Sequence, residues 1–214
     1  MEFDTLLYWL GEFCLDRYGD GLYRLLTSRV VLGAIGLGAA ALLTWWLLPR
    51  LFRVLPHDRG RPDAHGSAAA VGKPTGAGLV FIPIFVAVGT LVVPFEWSHL
   101  AILNCALLAL LTGYFDDRDD ESWGEYKKAA LDVLVAFCAA VAIFGFEEVS
   151  IWIPFVKGTI DLPAWLNLTG AAGLLWISIN ATNCTDGVDG LSGGLMVLAY
   201  TYLGGLLYAV VGRS

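Results

Sequence analysis

Five stretches of this chain, residues 30–48, 78–95, 97–115, 162–185 and 190–212, run without a single Asp, Glu, Lys or Arg. A helix needs about 20 predominantly apolar residues to cover roughly 30 Å of hydrocarbon at about 1.5 Å per residue. Each stretch is therefore long enough to cross a bilayer, where only a helix or a closed barrel satisfies its own backbone. A sixth stretch, residues 129–146, admits Asp132 in its first turn. An acid is tolerable there, near the positive end of a helix and close to water. The expected fold class is all-α: a polytopic membrane helix bundle with six transmembrane helices, forming one integral membrane domain over residues 1–214. Residues 1–29 carry Glu2, Asp4, Glu12 and Asp16 and no basic region ahead of an apolar core. They read as a short amphipathic or interfacial helix, not as a signal peptide.

Composition excludes several other classes. Charged residues are 15% of the chain and hydrophobic ones 57%, with a mean hydropathy of +0.67, against about 25% and 45–50% in soluble domains. Twenty acidic residues against thirteen Lys and Arg give a formal charge of −7. No basic stripe exists for neutralising a phosphate backbone, so nucleic acid is not an expected partner. Aromatic residues at 13% are the opposite of a disordered composition. Cys14, Cys105, Cys138 and Cys184 are far apart, with no CxxC pair, which supports neither a zinc site nor a redox motif.

Lys and Arg set the expected orientation. Arg50, Arg53, Arg59, Arg61 and Lys73 follow the first stretch, and Arg118, Lys127 and Lys128 follow the third. The other side holds only Arg17, Arg24, Arg29, Lys157 and Arg213. The bias places the first and third connecting loops in the cytoplasm and both termini outside.

With that topology, three polar clusters fall on the cytoplasmic face. The first, residues 57–78, ends in GKPTGAG; the second is GYFDDRDD over residues 113–120; the third is NATNCTDGVDG over residues 180–190. Asp116 and Asp117 close an apolar stretch at headgroup depth, where an ionised carboxylate is costly unless paired, solvated or coordinating a cation. They read either as a solvated helix cap or as a cation site or general base, since adjacent carboxylates repel and a divalent ion relieves both. Asn180, Asn183, Asp186 and Asp189 recur every three residues. In a continuous helix they occupy neighbouring turns; if the helix breaks at Gly187 and Gly190, the turn aims backbone amides inward, as phosphate sites require. The bland alternative is that they cap one helix and start the next. Thr75 lies in Pro-Thr-Gly-Ala-Gly, beside Lys73, a loop that a plain turn and helix start also explains.

Taken together, these residues resemble the polyprenyl-phosphate N-acetylhexosamine-1-phosphate transferases, and within them the muramoyl-pentapeptide branch. NATNCTDGVDGLSGG is similar to the family's NAxNxTDGxDGLA signature, GYFDDRDD to its GFxDD motif, and HGSAAAVGKPTGAG to its HxxKxGTPTMGG loop. From YWLGEF onward the order and spacing agree, and the chain resembles the first six of about ten family spans. The resemblance implies a magnesium-dependent transfer of phospho-MurNAc-pentapeptide from UDP-MurNAc-pentapeptide to undecaprenyl phosphate, giving lipid I and UMP at the cytoplasmic face of a bacterial inner membrane. It further implies Asp116 and Asp117 as the catalytic acidic pair, Asn183 near the metal, and Asp186 near the metal-phosphate region. Asp189 would lie near uridine, with Lys73, Thr75 and Asn180 also binding substrate. Lys128 matches a family lysine and would meet phosphate as a point charge. Members of this branch are often dimers, so a homodimer is the expected self-partner.

The departures are specific. The loop lysine falls on Ala70, which leaves Lys73 to substitute; Met-Gly-Gly after Pro-Thr reads Gly76-Ala77-Gly78; and Asp120 replaces a basic residue. The FMGDxGS-like aspartate and the His-rich loop of the family's later segments do not occur in this sequence. Three alternatives stay open: GlcNAc-1-phosphate transfer to the same lipid, a noncatalytic homologue, and a small transporter. Against the last, the polar residues gather at one face and not at the midplane.

Overall fold

A computed structural model of the chain describes residues 5–19, 21–57, 72, 74–118, 123–153, 158–185 and 190–211. The first element, α1 (Leu6–Tyr18), starts where the Thr5 hydroxyl accepts a hydrogen bond from the Tyr8 N–H at 2.8 Å. It stops at Gly19, whose φ of +77° is open to glycine at little cost. A 3-10 turn (Leu22–Thr27) leads into α2 (Arg29–Leu51). At the far end of α2 the Arg50 guanidinium donates to the Trp46 carbonyl and lies 4.1 Å above the Trp46 ring.

The helix α3 (Gly78–Val92) is 15 residues long and ends two residues before Pro94, in the extended conformation that proline imposes on its predecessor. Next come α4 (Trp97–Arg118) and α5 (Glu125–Phe144), the latter closed by Gly145 at φ +60°. The last helices are α6 (Ala164–Thr185) and α7 (Leu191–Val211). Between α5 and α6 the all-α expectation needs one addition, an antiparallel hairpin of β1 (Val149–Trp152) and β2 (Thr159–Leu162). Its strands are exposed except for the half-buried pair Val149 and Leu162, and the Ser150 hydroxyl donates to the Asp161 carboxylate across it. Leu162 belongs to β2, so the sixth helix begins after Pro163 and not at residue 162.

Consecutive helices α2 to α6 pack on their sequence neighbours. The closest approaches lie at glycines. A Cβ on Gly36 would be 3.1 Å from Val92, one on Gly89 3.1 Å from Leu103, and one on Gly78 3.3 Å from Leu110. The last two pairs run in opposite senses along α3 and α4, so those helices are antiparallel. Ala136 and Ala140, one turn apart, are the most buried residues of α5, which packs on both α4 and α6. Small residues at contacts and large apolar ones outside suit association in lipid, where no hydrophobic force pulls helices together. Accordingly Trp45, Leu174, Val197 and Leu198 are exposed, and α7 touches α6 only lightly.

Among the described residues, three helical segments are long and apolar enough to cross a membrane: Arg29–Leu51, Trp97–Phe115 and Leu191–Val210. With α3 apolar but shorter, the architecture is a helical, polytopic membrane bundle.

Candidate active site

The site is built where the C-terminal ends of α4 and α6 meet the N-terminal end of α5. A cavity of about 230 Å³ opens there, lined by Thr112 and Gly113 of α4, Lys128 and Asp132 of α5, Asn183 of α6, and Trp123 of the loop before α5. Helical spacing explains the convergence: Lys128, Leu131, Asp132 and Val135 fall at i, i+3, i+4 and i+7 of one α5 face, and Ile179 and Asn183 one turn apart on α6. Gly113 contributes empty space, because a Cβ there would meet nothing within 4 Å. The Thr112 hydroxyl donates to the Ala109 carbonyl at 2.9 Å.

Lys127 and Lys128 stand in the first turn of α5, where the helix dipole disfavours cations by about 0.3–1 kcal/mol each. The Lys127 ammonium sits 3.6 Å from the centre of the Trp123 ring, and both Trp123 and Lys128 line the cavity. A larger apolar groove of about 500 Å³ lies between α5 and α6, among Val133, Leu134, Phe137 and Trp176. No charged side chain among the described residues lines it, whereas Lys128 and Asp132 line the first cavity.

The sequence-predicted residues differ in where the structure places them. Lys128 and Asn183 meet in the cavity. Thr75 does not line it; its N–H and hydroxyl both donate to the Pro56 carbonyl, at 2.7 and 3.2 Å, beside an antiparallel bridge between His57 and Pro74. That loop feeds Gly78, which abuts Leu110, one residue from the cavity-lining Ala109. Asn180 does not line the cavity; its amide donates to the Trp176 carbonyl at 2.9 Å, back along α6. Asp116 and Asp117 are placed by backbone only, three and four residues beyond Gly113 on α4, and their side chains lie outside the described residues. Lys73, Asp186 and Asp189 lie outside them altogether. Asn180 and Asn183 ride on α6, which is described as far as Thr185, and the chain is described again at Gly190, whose φ is +79°; the two acids of the Asn/Asp series fall between, outside the described residues.

Two cavity residues escaped the sequence reading of the site. Asp132 read there as an acid merely tolerated near the interface, and Trp123 was not singled out. The available signal was the one-turn spacing between Asp132 and Lys128.

A family model for glycosyl transferase family 4 matches residues 99–214, which hold all the cavity-lining residues. The chain belongs to glycosyl transferase family 4. Its curated relatives include the phospho-N-acetylmuramoyl-pentapeptide-transferase of Treponema pallidum (strain Nichols), 43% identical over 196 residues, which cover 90% of this chain and 54% of that protein. The protein of the same name from Picosynechococcus sp. is 30% identical over 194 residues, covering 85% of this chain and 49% of its own length. That of Petrotoga mobilis is 33% identical over 163 residues, covering 72% and 51%. The chain thus spans about half the length of the curated relatives it matches. No solved structure matches it.

Proposed function

We propose that this family 4 chain serves the transfer of phospho-MurNAc-pentapeptide from UDP-MurNAc-pentapeptide to undecaprenyl phosphate, giving lipid I and UMP. The observation that carries the reading is the meeting of Lys128 and Asn183 in one cavity at the end of α4 that bears Asp116 and Asp117. The relatives' names point to the same donor. By the positive-inside bias the cavity faces the cytoplasm of a bacterial inner membrane, where a soluble nucleotide meets a membrane-bound phosphate.

Phosphoryl transfer asks little covalent chemistry of a protein, so positioning and charge neutralisation supply the catalysis. A phosphate oxygen of the lipid attacks the phosphorus that carries the sugar, the bond from that phosphorus to the UMP oxygen breaks, and UMP leaves with the electron pair. Asp117 deprotonates or orients the lipid phosphate, with Asp116 beside it. Lys128 meets a phosphate oxygen as a point charge. Asp189 holds uridine, with Lys73, Thr75 and Asn180 completing the substrate contacts. The oxygen donors at this end of the bundle suit a hard cation. Magnesium would be held by Asn183 with the carboxylates of Asp116, Asp117 and Asp186, and would supply neutralisation of diphosphate charge.

The test is lipid I formation in membranes carrying the chain, alone and in a version continued through the family's later segments, with UDP-MurNAc-pentapeptide or UDP-GlcNAc as donor. Transfer from the pentapeptide donor supports the reading. Transfer from UDP-GlcNAc alone would move the chain to the GlcNAc-1-phosphate branch.

A further inference from the structure

Two lysines stand side by side in the first turn of α5, at the end where the helix dipole disfavours cations and favours anions. Their like charges also repel, so an anion shared between them relieves both costs. Among the described residues that line the cavity of about 230 Å³, Lys128 carries the one positive charge and Asp132 the one negative charge. These cancel in sum, and a substrate with two linked phosphates needs cationic charge from beyond the lining. Lys127 brings it to the rim. Its side chain is exposed, and its ammonium lies 3.6 Å from the centre of the ring of Trp123, which is half-buried and lines the cavity. A flexible four-carbon stem by itself fixes no direction; here attraction of the cation to the face of the indole ring fixes it. The transfer chemistry above uses Lys128 and leaves both Lys127 and Trp123 without a task.

We propose that Trp123 is a positioning residue, its ring holding the Lys127 ammonium at the rim of the cavity between α4, α5 and α6, where Lys127 donates to an oxygen of one phosphate of the donor's diphosphate and Lys128 to an oxygen of the other. The pair of Lys127 and Trp123 is a contact of the structure; the substrate half of this inference rests on the transfer reading.

The test uses the full chain in detergent, as wild type, Trp123→Phe, Trp123→Leu, Lys127→Arg, Lys127→Met and the double variant Trp123→Leu/Lys127→Met. One readout is donor KM and kcat. The other is the rate at which acetic anhydride acylates Lys127, measured by mass spectrometry with and without UDP, against Lys157, which the charge bias places on the opposite face, as internal reference. Lys127→Met is expected to raise donor KM about tenfold, the scale of one charge-assisted hydrogen bond, with kcat changed less. Lys127→Arg should keep most of the wild-type KM. Trp123→Leu should raise KM about threefold, the scale of one cation–π contact at an exposed site, whereas Trp123→Phe keeps a ring face and should stay near wild type. In the Lys127→Met background Trp123→Leu should leave KM where Lys127→Met alone puts it, because residues in contact are not additive. Trp123→Leu should also speed acylation of Lys127 relative to Lys157, since the ring stabilises the ammonium against losing its proton, and UDP should slow that acylation in the wild type. An unchanged KM in Lys127→Met, the full effect of Trp123→Leu repeated without Lys127, an unchanged acylation ratio in Trp123→Leu, or no protection by UDP would each overturn the proposal. A wild type that uses neither donor overturns the transfer reading alone, since acylation with and without UDP needs no turnover and still decides the pair and its phosphate.

Discussion

Replacing Gly36 by leucine is expected to separate α2 from α3, and the cost can be worked from the contact itself. A Cβ at Gly36 would lie 3.1 Å from Val92 Cγ2, 3.4 Å from its Cγ1 and 3.5 Å from its Cβ. Val92 is β-branched and held near one rotamer in a helix, so it cannot swing aside as a longer side chain would. Gly33, on the same helix, provides the control, because a Cβ there would meet nothing within 4 Å. Both substitutions remove a helical glycine and gain up to about 1 kcal/mol of helix propensity. Their difference therefore isolates packing. Forcing extra carbons into a filled contact costs about 1–3 kcal/mol, so Gly36→Leu should be less stable than Gly33→Leu by that amount, a factor of roughly 5–150 in the folded-to-unfolded ratio. Titration of dodecyl maltoside micelles with SDS, followed by far-UV circular dichroism, measures it. Adding Val92→Ala should return part of the loss, with a coupling of about 0.5–3 kcal/mol. Equal stability of the two leucine variants, or no recovery with Val92→Ala, would refute the close α2–α3 contact.

Three further outcomes follow from named groups. Thr5→Ala removes the acceptor for the Tyr8 N–H at the start of α1 and should cost about 0.5–2 kcal/mol in the same titration. Thr75→Val deletes the hydroxyl bond to Pro56 and should cost about 0.5–1.5 kcal/mol, whereas Thr75→Ser keeps the bond and the stability. In a chain active for lipid I formation, Asp117→Asn and Asp189→Asn should each lower transfer at least about 100-fold, and Asp119→Asn should do little. An essential Asp119 with a dispensable Asp117 would mean that the acidic loop is read in the wrong register.

The helices were legible because lipid makes them so: a run without charge has nowhere else to put its backbone. Boundaries were legible only where a residue enforces them. Pro94 ends α3 within three residues of the end of its apolar run, but α5 begins at Glu125, four residues before its run, since two lysines and a glutamate hide a helix start from a hydropathy reading. The hairpin escaped because four-residue strands between apolar runs carry too little periodicity to be told from loop. In the site, motif spacing singled out Asn183, and the family resemblance singled out Lys128. Asp132 was hidden because its place in the cavity is set by its helix face and by the α4 and α6 ends that close the cavity, and a linear reading holds only the first of these.

The 15 residues of α3 also bear on the lipid around them. At about 1.5 Å per residue this helix covers about 22 Å, well short of roughly 30 Å of hydrocarbon. A membrane meeting so short an apolar segment thins locally, at a fraction of a kcal/mol per Å. The dimple would form where the Thr75 loop enters α3, beside Leu110, toward the same end of α4 as the cavity-lining Thr112 and Gly113. Headgroups and water would there be drawn inward, and a lipid phosphate would reach the depth of Lys128 without leaving its own leaflet. Under the proposed transfer, bilayer thickness would then tune the chain's encounter with undecaprenyl phosphate, so that thicker bilayers lift the phosphate away from the cavity and thinner ones deliver it.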